Sequence, residues 1–140
     1  MIRFAAAILT VSLLGAADMT VYKTPTCGCC GKWIEHVRAA GIKVKVLEVP
    51  STAQARANAG IKEKYGSGPT GLINGYAIEG HVPVADILRL LKEKPKAKGL
   101  AVPGMPMGSP GMEGPYKDAY SVLLLTEEGS TVFQKYAGSR

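Results

Sequence analysis

Along the first half of the segment 18–98, the spacing of the hydrophobic residues alternates between that of a strand and that of a helix. Met19 to Lys23 is a short β-type run, and Lys43 to Val49 alternates apolar with charged residues, as a strand does. Between these runs, apolar residues recur at offsets 0, 3, 4, 7 and 10 from Cys30, and Gly41 stands where a helix would end. The pattern predicts a β-α-β unit whose helix begins at the cysteines.

The second half of the segment continues the alternation. An Ala-rich stretch from Ser51 to Lys64 predicts a weakly amphipathic helix. Two short apolar strands from Leu72 to Ile78 flank Asn74-Gly75, which is a strong hairpin signal. A further helix starts at Pro83 and keeps the 3.6 period to Lys92. The order β-α-β-α-β-β-α predicts an α/β fold with helices packed on a small mixed sheet.

The C-terminal part of the chain differs in composition. Five Gly, four Pro and three Met occupy the seventeen residues from Gly99 to Pro115, which predicts a long loop (99–116) with no helix or strand interior. Ser121 to Thr126 and Thr131 to Tyr136 then flank a polar turn. We therefore predict one domain over residues 18–98 and a β-hairpin over residues 117–140 that packs on that domain.

The first seventeen residues have the three parts of a secretory signal. Arg3 precedes an apolar stretch from Phe4 to Leu14, and Gly15-Ala16-Ala17 follows, so we expect cleavage after Ala17. The apolar stretch is far shorter than the roughly 20 residues of a membrane span. The sequence thus predicts a periplasmic or secreted protein without a stable membrane span after cleavage; an uncleaved membrane anchor is the alternative.

Composition and charge narrow the functional classes. With 46% hydrophobic and 20% charged residues, the chain suits one soluble globular domain. The net charge of +6 could attract nucleic acid, but the basic residues are dispersed, and the densest run, Lys92 to Lys98, contains Glu93 and Pro95. We therefore expect no nucleic-acid partner.

All three cysteines lie in Cys27-Gly28-Cys29-Cys30. An exported disulfide scaffold normally uses an even number of cysteines spread along the chain, so this cluster serves redox exchange, metal binding, or both. Cys27, at the helix N-terminus, is the expected nucleophile, with Cys30 one turn later as its resolving partner. An oxidoreductase does not need Cys29. Three thiolates suit Cu(I), and would take Zn²⁺ if a histidine completed a Cys₃His set.

Other sulfur and nitrogen donors complete the candidate list. Met105, Met107 and Met112 either fill apolar gaps or form a lid of thioethers, which prefer Cu(I), over the cysteines. His36 follows Cys29 by seven residues, about 10 Å along a helix, and so cannot share a metal with it. We expect His36 to be an exposed helix residue.

The element order resembles the thioredoxin and glutaredoxin fold, with a C-x-x-C at the start of the first helix and Pro69 just before the third strand. The resemblance is closest from Pro69 to Gly80, including the Ile73-Asn74-Gly75 turn. It implies that Pro69 is cis and faces the cysteines. It also implies that the following loop closes on the site, which would place His81 there as a ligand or proton-transfer group, the alternative being a loop-capping histidine.

Three segments together are similar to the CopG-like family of exported copper-resistance proteins (the family of unknown function DUF411). They are the segments 22–33, 80–83 and 99–113. The resemblance implies a thioredoxin-like metal-binding protein with copper(I) on the C-x-C-C cysteines. Where the family usually has Ser-Cys-His-Thr, this chain reads Gly66-Ser67-Gly68-Pro69-Thr70. It therefore lacks the fourth cysteine that a multinuclear copper cluster would use.

These observations predict an exported protein that binds copper through Cys27, Cys29 and Cys30 and couples thiolate redox to Cu(I)/Cu(II). Copper ions are the expected partner, together with other exported copper-handling or redox proteins. Two alternatives stay open. One is a metal-free thiol–disulfide oxidoreductase that uses Cys27 and Cys30, and the other is a Zn-binding interaction module. Whether the protein turns over as an enzyme is left undecided by the sequence.

Overall fold

A computed structural model describes residues 17–139, and seven strands in this part of the chain form one mixed sheet. The strands are β1 Asp18–Lys23, β2 Lys43–Glu48, β3 Thr70–Ile73, β4 Tyr76–Glu79, β5 Gly99–Ala101, β6 Tyr120–Thr126 and β7 Gly129–Tyr136. The helices are α1 Gly28–Ala39, α2 Ala53–Asn58 and α3 Val84–Glu93, with a 3₁₀ turn at Glu63–Tyr65. Apart from Ala17, the predicted signal segment 1–17 lies outside the described residues.

The sheet order is β2-β1-β3-β4-β5-β6-β7. Strand β1 is parallel to β2 and antiparallel to β3, and β4 is antiparallel to β3 and parallel to β5. The hairpin β6–β7 extends the sheet from β5 by antiparallel pairing. The predicted mixed α/β class is confirmed, and the two runs that flank the polar turn near the C-terminus do form a hairpin.

The core joins α1 and α3 to the sheet. Trp33 of α1 is fully buried, and its Nε1–H donates to the carbonyl of Val82 at 2.8 Å. This bond ties the cysteine-bearing helix to the segment that follows β4, and it satisfies the one polar atom of a large apolar side chain. Residues of β1, α3 and β5 contribute to the same core: Met19, Val21, Ile87, Leu90 and Leu100.

Two predicted boundaries are wrong. The helix expected over Ser51–Lys64 is limited to α2, because Gly60 adopts φ +74° and the chain turns there before the 3₁₀ turn. The predicted loop 99–116 begins with a strand, since β5 finds a hydrogen-bonding neighbour on each side. Gly99 permits this strand. Its φ is +154°, and a Cβ there would overlap the main chain of Ala77. The loop proper, called the methionine loop below, is residues 102–119.

No helix within residues 17–139 combines the length and the apolar character that crossing a bilayer requires.

Candidate metal centre

The three cysteines meet at the N-terminal end of α1. Strand β1 ends at Lys23, and the chain turns sharply, with the main-chain N–H of Cys27 donating to Thr24 at 3.2 Å. Cys27 is the residue just before the helix, and Cys29 and Cys30 lie in its first turn. The three sulfurs lie within 4.8 Å of one another, close enough to share one metal ion.

The structure shows the cluster with one disulfide. Cys27 and Cys30 are bridged across a Cα–Cα distance of 5.4 Å, and Cys29 is a free thiol. The sulfur of Cys29 is 3.8 Å from that of Cys27. In this form one thiol is available. Two-electron reduction of the disulfide would release two more, so that three thiols would lie in the same place.

Burial separates the two bridged cysteines. Cys30 is fully buried against the core, whereas Cys27 is half-buried and borders solvent. After reduction, we expect an alkylating agent at pH 7 to modify Cys27 well before Cys30, because the attack requires access to the sulfur. Quenched alkylation followed by peptide mass mapping measures the order. Modification of Cys30 first would contradict the assignment of Cys27 as the nucleophile.

A cleft of about 460 Å³ opens beside the cysteines. One wall is the loop before β3, where the Gly68–Pro69 peptide bond is cis, as the glutaredoxin resemblance implies. The residues around the cleft are Lys23, Thr24, Thr26, Cys27, Gly28, Cys29, Cys30, Thr52, Arg56, Ser67, Gly68, Pro69 and Met105. It therefore combines sulfur donors with hydroxyl groups and two cationic side chains.

Of the three loop methionines, Met105 reaches the cysteines. Its Sδ is 3.6 Å from the Sγ of Cys29, and its side chain is 40% exposed at the mouth of the cleft. Met107 and Met112 do not line this cleft. Of the predicted methionine lid, the thioether of Met105 thus lies at the site. Ligand roles for Met107 and Met112 stay predictions.

His81 lies in the core beneath the methionine loop. It is fully buried, its ring stacks on that of Trp33 at 6.3 Å, and neither ring nitrogen has a hydrogen-bond partner of normal geometry. Burial lowers its pKa, which favours the neutral ring. A Cβ at Gly111 would lie 3.3 Å from its Nδ1 and 2.8 Å from the carbonyl oxygen of Cys29, so His81 is close to the cysteine turn. The set of donors within 4.8 Å of one another does not include His81.

His36 is exposed on α1, as expected, but it has a partner that the sequence did not indicate. Its Nε2 lies 2.7 Å from Oε1 of Glu113, in the methionine loop. The carboxylate of Glu113 also accepts a hydrogen bond from the main-chain N–H of Gly111, which lowers the pKa of Glu113. This contact attaches the far end of the loop to the helix that carries the cysteines.

Sequence reasoning missed a buried ionic group beside the cleft. Glu79 of β4 is fully buried, and its Oε1 accepts a hydrogen bond from Nε of Arg56 at 2.8 Å. Arg56 also donates to Glu63 at 2.8 Å and to the hydroxyl of Thr52 at 2.8 Å. The sequence signal that could have indicated this group is Glu79 itself. It follows the apolar run Tyr76 to Ile78, where a buried charge without a partner would be costly.

Comparisons with known proteins found a matching family model and similar solved structures. A family model described as "Protein of unknown function, DUF411" matches residues 65–112. A solved structure titled "Copper resistance protein copG- Form 1" is 44% identical, with a TM-score of 0.81, and the match covers 86% of this chain and 98% of that one. A second, "Copper resistance protein copG- Form 2", is 43% identical with the same TM-score and coverage. No curated protein matched.

Both solved structures are thus matched over nearly their whole length, and each match covers 86% of this chain. An identity of 44% over 98% of a solved chain is far above the level at which only the fold is shared. The chain therefore belongs to the DUF411 family of copper resistance protein CopG.

Proposed function

We propose that this protein handles copper after export, and that its reduced form binds Cu(I) through the thiolates of Cys27, Cys29 and Cys30. The observation that carries the proposal is the grouping of three sulfurs within 4.8 Å of one another at the rim of an open cleft. Thiolates are soft ligands that suit Cu(I). The copper-resistance names of the two solved relatives support the same metal.

The proposal extends to the fold type. A thioredoxin-like core is supported by the order β2-β1-β3-β4 with β1 parallel to β2 and antiparallel to β3, and by the cysteines at the start of α1. In such an arrangement the helix N-terminus supplies unpaired N–H groups and a positive dipole end next to the sulfurs. Both favour the negatively charged thiolates that a Cu(I) ion needs.

Redox coupling is the second part of the proposal, and it is supported by the Cys27–Cys30 disulfide. When the two thiols are oxidised to the disulfide, they release two protons and two electrons, and those electrons reduce two Cu(II) ions to two Cu(I) ions. Cys29 keeps its thiol in this step, with the thioether of Met105 3.6 Å away. One of the two Cu(I) ions then has two sulfur donors, Cys29 and Met105, beside the newly formed disulfide.

Further ligands are proposed in order of their distance from the cysteines. Met105 is the first candidate because its sulfur already contacts that of Cys29. His81 requires movement of the methionine loop, because it is fully buried under Gly111. Zn²⁺ would need His81 to complete a Cys₃His set, and the present arrangement of donors favours the sulfur-only Cu(I) site instead.

Titration of the protein with Cu(I) in competition with a chelator tests the main proposal. We expect tight binding after reduction and much weaker binding by the disulfide form, since oxidation removes two of the three thiolates. Equal concentrations of Zn²⁺ should not displace Cu(I) from the reduced protein. Equal affinities of the reduced and disulfide forms for Cu(I) would contradict the three-thiolate site.

A thiol–disulfide oxidoreductase that uses no metal is the second candidate. The specific observation in its favour is that the Cys27–Cys30 disulfide shares the cleft with Pro69 and so lies open to a protein or small-molecule thiol. In that reaction a substrate thiolate attacks the sulfur of Cys27, and the thiolate of Cys30 leaves. The two candidates differ in their need for Cys29.

A further inference from the structure

Glu79 is a fully buried carboxylate that the copper-binding proposal does not use. Its Oε1 accepts hydrogen bonds from Nε of Arg56 at 2.8 Å and from the hydroxyl of Thr70 at 2.7 Å. Its Oε2 accepts from the main-chain N–H of Gly68 at 3.3 Å. Arg56 and Gly68 both line the cysteine cleft, so one buried side chain holds the α2 wall and the β3 wall of the cleft together.

Arg56 is itself held at each nitrogen. Besides the bond from Nε to Glu79, its Nη1 donates to Glu63 and its Nη2 donates to the hydroxyl of Thr52, both at 2.8 Å. A planar guanidinium with donors in three directions fixes the groups around it more rigidly than a single contact does. The loop before β3 therefore has a defined position relative to α2.

Ser67 connects this loop to the methionine loop. Its hydroxyl donates a hydrogen bond to the carbonyl of Gly104, the residue just before Met105. The two loops come this close because residue 80 is a glycine with φ +80°. A Cβ at Gly80 would lie 2.5 Å from the carbonyl oxygen of Val102 and 2.9 Å from the Cβ of Ser67.

These contacts run without a gap from the buried carboxylate to the metal centre. Glu79 holds Gly68, the neighbouring Ser67 holds Gly104, and the next residue, Met105, places its Sδ 3.6 Å from the Sγ of Cys29. A methionine side chain is flexible, so a thioether binds a metal well only when its main chain is held near the site. The main chain of Met105 is held through Gly104.

We propose that Glu79 and Ser67 are positioning residues that determine where the thioether of Met105 stands relative to Cys29. Their side chains hydrogen-bond to residues other than the cysteines, and they act through Met105. The inference rests on the proposed Cu(I)-binding function, which it deepens by assigning a cause to the position of a fourth sulfur.

A double-mutant cycle between Ser67→Ala and Met105→Leu tests the inference. Each single variant should weaken Cu(I) binding by the reduced protein about 10-fold, since Ser67→Ala removes an outer contact of the metal site and Met105→Leu removes a thioether, which is a weaker ligand than a thiolate. The double variant should also lose about 10-fold, because Ser67 has no effect once the thioether is gone. Glu79→Gln should weaken binding in the same way and lose its effect in the Met105→Leu background. Ser130→Ala is the matched control, since Ser130 is exposed on the edge strand β7 and does not line the cleft, and it should leave Cu(I) affinity unchanged.

A second readout needs no metal. In the disulfide form Cys29 is the free thiol, and contact with Met105 covers one side of its sulfur. Ser67→Ala should raise the alkylation rate of Cys29 in the wild-type background and leave it unchanged in the Met105→Leu background. Wild-type protein that fails to bind Cu(I) would refute the proposed function, while the alkylation rates still report on the positioning. Ser67→Ala with wild-type Cu(I) affinity and alkylation rate, or losses that add up in the double variant, would overturn the inference.

Discussion

Replacement of Cys29 by serine is expected to remove tight Cu(I) binding and to leave the Cys27–Cys30 disulfide able to form. Cys29 lies outside the disulfide, but its sulfur is one of the three that lie within 4.8 Å of one another and the one in contact with Met105. Loss of an outer contact at a metal site costs about 10–100-fold in affinity, so loss of a thiolate ligand should cost more than about 100-fold. Competition titration of the reduced variant with a Cu(I) chelator measures the effect.

Cys27→Ser is the matched control, because it should abolish both the disulfide and tight Cu(I) binding. A Cys29→Ser variant that exchanges disulfides at the wild-type rate but has lost tight Cu(I) binding is the result expected from the copper proposal. Wild-type Cu(I) affinity in Cys29→Ser would contradict the three-thiolate site. Loss of disulfide exchange in Cys29→Ser would contradict the roles given to Cys27 and Cys30.

The second large effect concerns stability. Glu79→Ala should lower the free energy of unfolding by about 3–5 kcal/mol, because it leaves the guanidinium of Arg56 buried without its buried partner. Arg56 is 8% exposed and Glu79 is 0% exposed at the side chain, so Nε of Arg56 loses its acceptor at a buried position, while Nη1 keeps its bond to Glu63. Urea denaturation followed by circular dichroism measures the change.

Two further variants separate ion-pair loss from general damage. Glu127→Ala removes the partner of Lys98 in an ion pair 3.8 Å long whose carboxylate is 84% exposed, and it should cost less than about 1 kcal/mol. The double replacement Arg56→Met with Glu79→Leu should be more stable than Glu79→Ala alone, since no buried charge is left unpaired. A Glu79→Ala variant as stable as Glu127→Ala would show that Arg56 finds solvent or another partner.

The hydrophobic pattern was sufficient for most of the architecture. Strands β1 and β2, helices α1 and α3 and the β3–β4 hairpin each have a local period or turn signal, and their boundaries fall within about two residues of the prediction. Strand β5 has no such signal. Its three residues pair on both sides only because β4 and β6 are already in place, so its identity is a property of the sheet.

The candidate site likewise has a part that the sequence predicts and a part that it does not. The cysteines are adjacent in the chain, so their clustering at a helix start could be predicted from residue types and spacing alone. The loop methionines lie at least about 75 residues further along the chain, and each of them is surrounded by a similar Gly- and Pro-rich sequence. Nothing local distinguishes Met105, which contacts Cys29, from Met107 and Met112, which do not line the cleft.

The sequence by itself determined the mixed α/β class, the sulfur cluster at the start of α1 and the proline before β3, because each depends on residues close together in the chain. Tertiary structure alone decided which loop sulfur reaches Cys29, that His36 meets Glu113, and that Arg56 pairs with Glu79 behind the cleft. These contacts join residues 23 to 77 positions apart. They form only when the sheet has assembled and its hydrophobic residues are covered, and no local pattern records which of several similar side chains then come into contact.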